Sequence, residues 1–267
     1  MLIICNGVFK SGSTWLHAII LEILKINKIN LTDVPSKYTN NIDSPTTIVE
    51  SKLLKFLDNE NYIESYYITK SHYYLMKTMM REYDSNIHFF FVERDIRDAL
   101  VSHYYHLKKK YTFISGFNMY YLFIGRLKAF EILNFNRKYI RAFGNDNFFK
   151  YSDLKNNFEA VVLKISSILN LKDLSEEEIK IIKTQTSITK MRNDLSLGKT
   201  KYYSTVSENR EGVIRKGIIG DWVNYFSIKQ QNDIKNIEEF KSLYFLRIIY
   251  FFTFTAKIGN TTDVESY

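Results

Sequence analysis

Two prolines and one cysteine in 267 residues exclude several architectures. A lone thiol, Cys5, closes no internal disulfide, and no Cys/His cluster has zinc-ligand spacing, so neither a disulfide framework nor a structural zinc is expected. Cys5 falls inside the apolar run Leu2–Asn6 and reads as a small buried hydrophobe. Both prolines, Pro35 and Pro45, lie in residues 31–47, which read as a polar loop. There is no internal repeat and no low-complexity tract. No basic n-region or small-residue cleavage site opens the chain, so it is read as carrying no secretory signal. The most apolar stretch, residues 243–256 (LYFLRIIYFFTFTA), is short for a bilayer and is interrupted by Arg247. It reads as a buried helix or strand, with a membrane-surface or partner-binding tail as the alternative. No basic block is long enough for a nucleic-acid-binding tail.

The hydrophobic fraction, 45%, suits a globular protein, and the length suits one large α/β domain over residues 1–267. The formal charge of +8 arises from 37 basic and 29 acidic residues. It fits an anionic ligand or acidic partner, and equally a composition rich in Lys, Asn and Ile. Short apolar runs alternate with amphipathic segments of helical length, which predicts a parallel sheet covered by helices. The expected strands are Leu2–Asn6, Tyr66–Lys70, His88–Glu93 and Asn147–Tyr151. The expected helices are Ser13–Lys25, Ile96–Lys110, Asn118–Phe143, Asn156–Leu169 and Ser175–Gln185. Asp153 and Ser175 look like helix-start residues, Ser175 with Glu178 as a capping box. Periodicity fades over residues 192–220, which read as a long functional loop.

Four segments carry chemistry. In VFKSGSTW (8–15), Gly7, Gly12 and Thr14 match the spacing of a phosphate-binding loop, but Ser13 stands where its lysine belongs and Lys10 lies three places earlier. Amides at Ser11 to Thr14 opening onto a helix would bind a phosphate. Lys70-Ser71-His72 follows a strand, at the edge where open α/β sheets bind ligands. There His72 is a candidate base, although a lone loop histidine is as often structural. Arg94 ends an aromatic strand and Ser102 follows eight residues on, a guanidinium and a hydroxyl for a second phosphate; alternatively Arg94 and Arg97 pair with Asp95 and Asp98. Arg215-Lys216-Gly217, ahead of Gly220-Asp221-Trp222, offers two cations and an open amide to an anion.

In this order the segments resemble the soluble, cytosolic-type sulfotransferases that use 3′-phosphoadenosine 5′-phosphosulfate (PAPS) and release 3′-phosphoadenosine 5′-phosphate (PAP). FKSGSTW is similar to the family's P-K-S-G-T-T-W, and Lys70-Ser71-His72 to its K-[ST]-H. Arg94 to Ser102 is similar to R-[DN]-x-[KR]-D-x-x-V-S, and Arg215–Trp222 to R-K-G-x-x-G-D-W. Tyr151-Ser152-Asp153-Leu154 and Thr186–Met191 are weaker echoes. The matches run from residue 7 to residue 222.

The resemblance implies a P-loop NTPase-like three-layer α/β sandwich and a cytoplasmic enzyme. Lys10, Ser11, Gly12, Ser13 and Thr14 would hold the 5′-phosphosulfate, with Trp15, Tyr151, Thr186 and Ile188 around the adenine. Arg94, Ser102, Arg215, Lys216 and Gly217 would hold the 3′-phosphate. His72 would be the base, with Lys10 and Lys70 assisting. No metal and no nucleic acid is implied, and the acceptor is a small-molecule or carbohydrate hydroxyl, or an amine. The chain departs from the pattern at Phe9 (proline in the family), at Ile188 (phenylalanine) and at Val223 (the first lysine of the family's dimer element). Tyr120, Tyr121 and Phe123 read as core rather than as an acceptor pocket. Two rivals remain. A nucleotide kinase or NTPase is disfavoured by Ser13 and the absence of a strand ending in a Walker-type aspartate. A non-catalytic anion-binding module is disfavoured by the Lys70/His72 pair.

Overall fold

Leu2–Asn6 forms strand β1 with every side chain buried, as a strand flanked on both edges and covered on both faces requires. The structure is a computed structural model that describes residues 1–40, 44–74, 85–110, 116–197 and 214–239. The other described strands are β2 (Thr39–Asn40), β3 (Ser44–Ile48), β4 (Tyr67–Ser71), β5 (Ile87–Glu93) and β6 (Phe148–Lys150). The described α-helices are α1 (Ser13–Ile26), α2 (Leu53–Asn59), α3 (Ile96–Lys110), α4 (Phe117–Tyr120), α5 (Arg126–Phe143), α6 (Tyr151–Asn156), α7 (Phe158–Ile168), α8 (Glu176–Gln185), α9 (Ile188–Ser196) and α10 (Ile228–Glu238). These elements fall into two compact units, Met1–Asp95 with Phe135–Ile219, and Ile96–Asn134 with the described chain from Gly220.

The first unit is built on a parallel sheet of order β4-β1-β5-β6. Alternation along β5 divides its side chains between two faces. Phe90 and Val92 join Ile3, Cys5 and Phe149 under Leu16, Ile19, Ile20 and Ile23 of α1, with Val162 of α7 and Ile182 of α8. Phe89 and Phe91 face the other way, against Tyr139 and Phe143 of α5. Helices therefore cover both faces of a parallel sheet, the α/β class read from the sequence. Burial pushes the Cys5 thiol far above its ordinary range, in keeping with a packing role.

In the second unit Phe117, Tyr121, Tyr225 and Phe226 form an aromatic cluster. Asp233 of α10 ties it together, accepting from Tyr121 Oη (2.8 Å) and pairing with Arg126 (2.8 Å). Among the described residues no helix is long and apolar enough to cross a membrane.

Several local expectations need correction. The segment 31–47 is not all loop: β2 pairs antiparallel with β3, and Ile48 N donates to Thr69 Oγ1 (3.0 Å). Its sequence signal is weak because Ile48 is the one apolar side chain in β3. A proline is tolerated in such a ribbon, which has open edges. Asp153 does not start a helix. Helix α6 opens at Tyr151, and Asp153 sits in its first turn, where the dipole favours a carboxylate equally well. The expected helix over 118–143 contains a π-helical turn at Tyr121–Gly125. Phe123 is 63% exposed while Tyr120 and Tyr121 are buried; Phe123 lies two residues from Tyr121 and so faces the opposite side of the helix from it. The loop expected from 192 begins later, since α9 continues to Ser196. Its middle, residues 198–213, and the apolar stretch 243–256 lie outside the described residues.

Ile19 is fully buried between α1 and the sheet, whereas Ile181 on α8 is 43% exposed. Ile19→Ala is expected to lower unfolding free energy by about 2–5 kcal/mol, and Ile181→Ala by no more than about 0.5, measured by urea denaturation.

Candidate active site

The parallel register of β1 with β4 sets Cys5 beside Lys70 and Asn6 beside Ser71, so the chain leaves both strands at one level. After Asn6 it turns sharply. Lys10 adopts a left-handed backbone (φ 59°), an arrangement that costs a non-glycine residue roughly 1–2 kcal/mol. Gly12 follows with φ 110°, and a Cβ there would stand 2.7 Å from the Tyr151 ring, so the position requires glycine twice over. Ser11 N–H donates to the Val8 carbonyl (3.2 Å). The amide row expected from Ser11 to Thr14 therefore reduces to Gly12, Ser13 and Thr14.

Those amides head α1 with no side-chain cap and no acidic residue in the first turn. By contrast α8 and α10 start with capping boxes at Ser175 and Ser227, and Ser187 caps α9, while α2, α4, α6 and α7, like α1, have no side-chain cap. An uncapped, 14-residue helix start leaves backbone donors and the positive end of the dipole for an anion. The Ser11 hydroxyl, 1% exposed, is buried in the same turn without a hydrogen-bond partner. A buried hydroxyl left in that state is costly unless a ligand supplies the acceptor.

Cations gather around this turn. Lys70 Nζ lies 3.5 Å from Thr14 Oγ1, and Arg94 Nη1 lies 3.5 Å from the Lys10 carbonyl. The Lys10 ammonium is lowered to about 8, by burial first and then by the charges of Lys70, Arg94 and Arg215. Like charges are held together here at a cost that an anionic ligand would remove.

Tyr151 links the pieces. Arg94 lies over its ring (4.4 Å to the centroid) and Trp15 meets it edge-on (5.3 Å). Trp15 Nε1 donates to the Thr186 carbonyl (2.9 Å). Gly217, with φ 64°, abuts Ile188: a Cβ there would fall 2.0 Å from Ile188 Cδ1 and 3.4 Å from Tyr151 Oη. Trp15, Tyr151, Thr186, Ile188 and Gly217 thus form one neighbourhood, with Arg94 on its flank. Lys216 is exposed beside it.

Sequence reasoning missed how residues 214–218 are held. Arg192 Nε donates to the Ile214 carbonyl (3.1 Å), Lys155 Nζ to Gly217 O, and Arg94 Nη2 to Ile218 O (3.1 Å). Neither Lys155 nor Arg192 stands in a motif that marks such a contact, so no sequence signal announced it.

His72 is exposed, and its Nδ1 is 2.5 Å from the Gly7 carbonyl. A carbonyl only accepts, so Nδ1 carries the proton and the ring lone pair resides on Nε2. That is the tautomer a general base needs.

In the second unit Ser102 is buried on α3. Asp98 accepts from Gly220 N (2.7 Å) and Trp222 N (3.1 Å), and Arg97 lies over the Trp222 ring (3.6 Å). For Arg94 and Asp98 the structure therefore gives partners other than the ion pairs considered from sequence. Among the described residues no group of three or more His, Cys, Asp or Glu is placed to hold a metal ion.

The lowered Lys10 gives a pH signature. Between about pH 8 and its ordinary value near 10.4 the unfolded chain binds more protons at this site, so folding stability rises with pH across that window. Below pH 8 the repulsion is fully present. Urea midpoints of the ligand-free protein are expected to rise between pH 7.5 and 9.5 more than those of Lys10→Met. Equal pH dependence in the two proteins would refute the lowering of the Lys10 ammonium.

The family model of the sulfotransferase domain matches residues 2–244. Sulfotransferase 1E1 of Bos taurus is 27% identical over 230 residues, covering 82% of this chain and 76% of its own length. Among solved structures, mouse sulfotransferase SULT7A1 complexed with PAP superposes with a TM-score of 0.64 at 18% identity, covering 95% of this chain and 88% of that one. Retinol dehydratase in complex with androsterone and inactive cofactor PAP gives a TM-score of 0.59 at 17% identity, covering 91% and 81%. The fold is common to these structures, the family match extends over nearly the whole chain, and this protein belongs to the sulfotransferase-domain family.

Proposed function

We propose that this enzyme transfers a sulfuryl group from PAPS to the hydroxyl of a small-molecule acceptor, with His72 as general base. One observation carries the reading: Lys10, Lys70, Arg94 and Arg215 crowd an uncapped helix start that holds a buried, unbonded serine hydroxyl. Such a set suits a nucleotide with two anionic ends, a 5′-phosphosulfate at Lys10 and Lys70 and a 3′-phosphate at Arg94 and Arg215. The acceptor class rests on likeness, since a structural neighbour is named for retinol and was solved with androsterone. A relative 25% identical over 249 residues is named a cytosolic sulfotransferase, which supports a cytoplasmic enzyme.

The reaction follows from the residues. His72 Nε2 takes the acceptor's hydroxyl proton while that oxygen forms its bond to sulfur. The bond from sulfur to the phosphate oxygen breaks on the opposite side, and the electron pair stays with the leaving PAP. Lys10 and the amides of Gly12, Ser13 and Thr14 face the charge that grows there, and preorganised donors of this kind contribute most to such catalysis. Lys70, bonded to Thr14, holds the transferring group from its flank. Trp15, Tyr151, Thr186 and Ile188 border the adenine. Arg94, Arg215, Lys216 and Gly217 bind the 3′-phosphate that distinguishes this donor from ATP. Cations and amides here take the part that magnesium plays in phosphoryl transfer.

Incubation with ³⁵S-labelled PAPS and a panel of phenols, sterols and aliphatic alcohols is expected to give labelled product, and no transfer to any of them would refute the reading. His72→Ala is expected to lower the rate by about 10²–10⁴-fold with PAP affinity retained; activity within threefold of the parent would remove the base assignment. Arg94→Ala is expected to weaken PAP in calorimetry by about 1.5–3 kcal/mol and to leave AMP nearly unchanged, since a charge-assisted bond to the 3′-phosphate is lost. Equal losses for both nucleotides would reject that role.

A further inference from the structure

His72 is exposed, yet the residue after it is locked into the core. Tyr73 is 2% exposed, and both of its backbone polar groups are held by side chains. Asn6, fully buried at the end of β1, accepts from Tyr73 N (2.9 Å) through Oδ1 and donates from Nδ2 toward Tyr73 O (3.4 Å). Its carboxamide thereby imitates one more rung of a parallel ladder just where β4 has ended. Ser71 Oγ donates to the same Oδ1 (3.3 Å). Tyr139 Oη donates to the Tyr73 carbonyl (2.7 Å), and the Tyr73 hydroxyl donates to Ile48 O (2.9 Å). On the other side of the imidazole, the carbonyl that fixes its tautomer belongs to Gly7, the neighbour of Asn6.

Residues 6 and 7 therefore hold the base from two directions, one through the backbone that follows it and one through the ring. We infer that Asn6 is a positioning residue for sulfuryl transfer, clamping Tyr73 so that the His72 ring stays over the Gly7 carbonyl with its Nε2 lone pair directed away from that bond. Asn6 touches neither donor nor acceptor in this role; it acts through His72, and its importance for turnover rests on the base assignment proposed above. Tyr139 assists from α5 by sharing the Tyr73 carbonyl. A ring whose following residue can swing is released from Gly7, and misplacement of a catalytic group by about 1 Å can cost up to about 10²-fold in rate.

The test is the imidazole tautomer of His72, read by nitrogen-15 and carbon-13 NMR of the full chain with PAP bound, at a pH where the ring is neutral, and assigned by comparison with His72→Ala. The parent is expected to show the Nδ1–H form. Asn6→Ala is expected to bind PAP within twofold of the parent while an Nε2–H signal appears. A purely structural asparagine would lower the melting temperature and leave the tautomer alone, and an unchanged tautomer in a folded Asn6→Ala overturns the inference. Should Asn6→Ala fail to fold, Tyr139→Phe removes one donor to the same carbonyl and keeps the packed ring. It is expected to move the tautomer in the same direction by a smaller amount, and no movement is likewise fatal. This readout needs no turnover. Loss of the base assignment, seen as full transfer by His72→Ala, is thus told apart from failure of the clamp.

Discussion

Mutual repulsion among cations that the fold forces together is the constraint around which the first unit is organised. Lys10, Lys70, Arg94 and Arg215 come from four separate stretches of chain, and burial first, then the three neighbouring charges, pull the Lys10 ammonium down. Only a strong framework keeps such a group assembled. The framework is the buried parallel sheet: β1 lies between β4 and β5, and helix α1 covers it through an apolar face. Arg94 is further restrained by the Tyr151 ring and by two backbone carbonyls. The geometry thus favours a polyanion before any is bound, which is the meaning of preorganisation in a site that must stabilise developing negative charge.

The loop after β1 contributes the complementary half. A left-handed lysine and a left-handed glycine bend the chain so that α1 starts without a cap, although capped starts are the habit of α8, α9 and α10. At α1 the donors left by the missing cap stand beside the buried Ser11 hydroxyl and the gathered cations, which is what suits them to a ligand. At this turn a left-handed lysine and an unbonded buried hydroxyl fall side by side, and such features cluster at functional sites.

Much of this was legible in the sequence. The bounds of β1 and α3 agree residue for residue with the periodicity, because a continuous apolar run and a well-marked amphipathic segment have strong signals. Three of the four motif segments follow β1, β4 and β5, where small residues, cations and a histidine stand out, whereas Arg215–Trp222 adjoins no described strand, and the roles of all four came from the family resemblance. What could not be read was of two kinds. Polar elements such as β3 lack an apolar pattern and are defined by pairing across the fold. Side-chain grips on backbone carbonyls, those of Lys155, Arg192 and Asn6, join residues far apart in the chain and belong to no short pattern. Ile188 illustrates the boundary between these cases. From sequence it was a missing aromatic; in the structure its branched side chain fills the space left open by Gly217, so its shape is matched to that glycine.

The sole thiol of the chain sits within β1, sealed from solvent and held in its protonated form. Maleimides and iodoacetamides react with exposed thiolates, so the native protein offers them almost no target while folded. A single cysteine introduced on an exposed surface would then be the one place such a reagent attaches. The protein is, without further alteration, a background-free scaffold for a fluorophore or spin label.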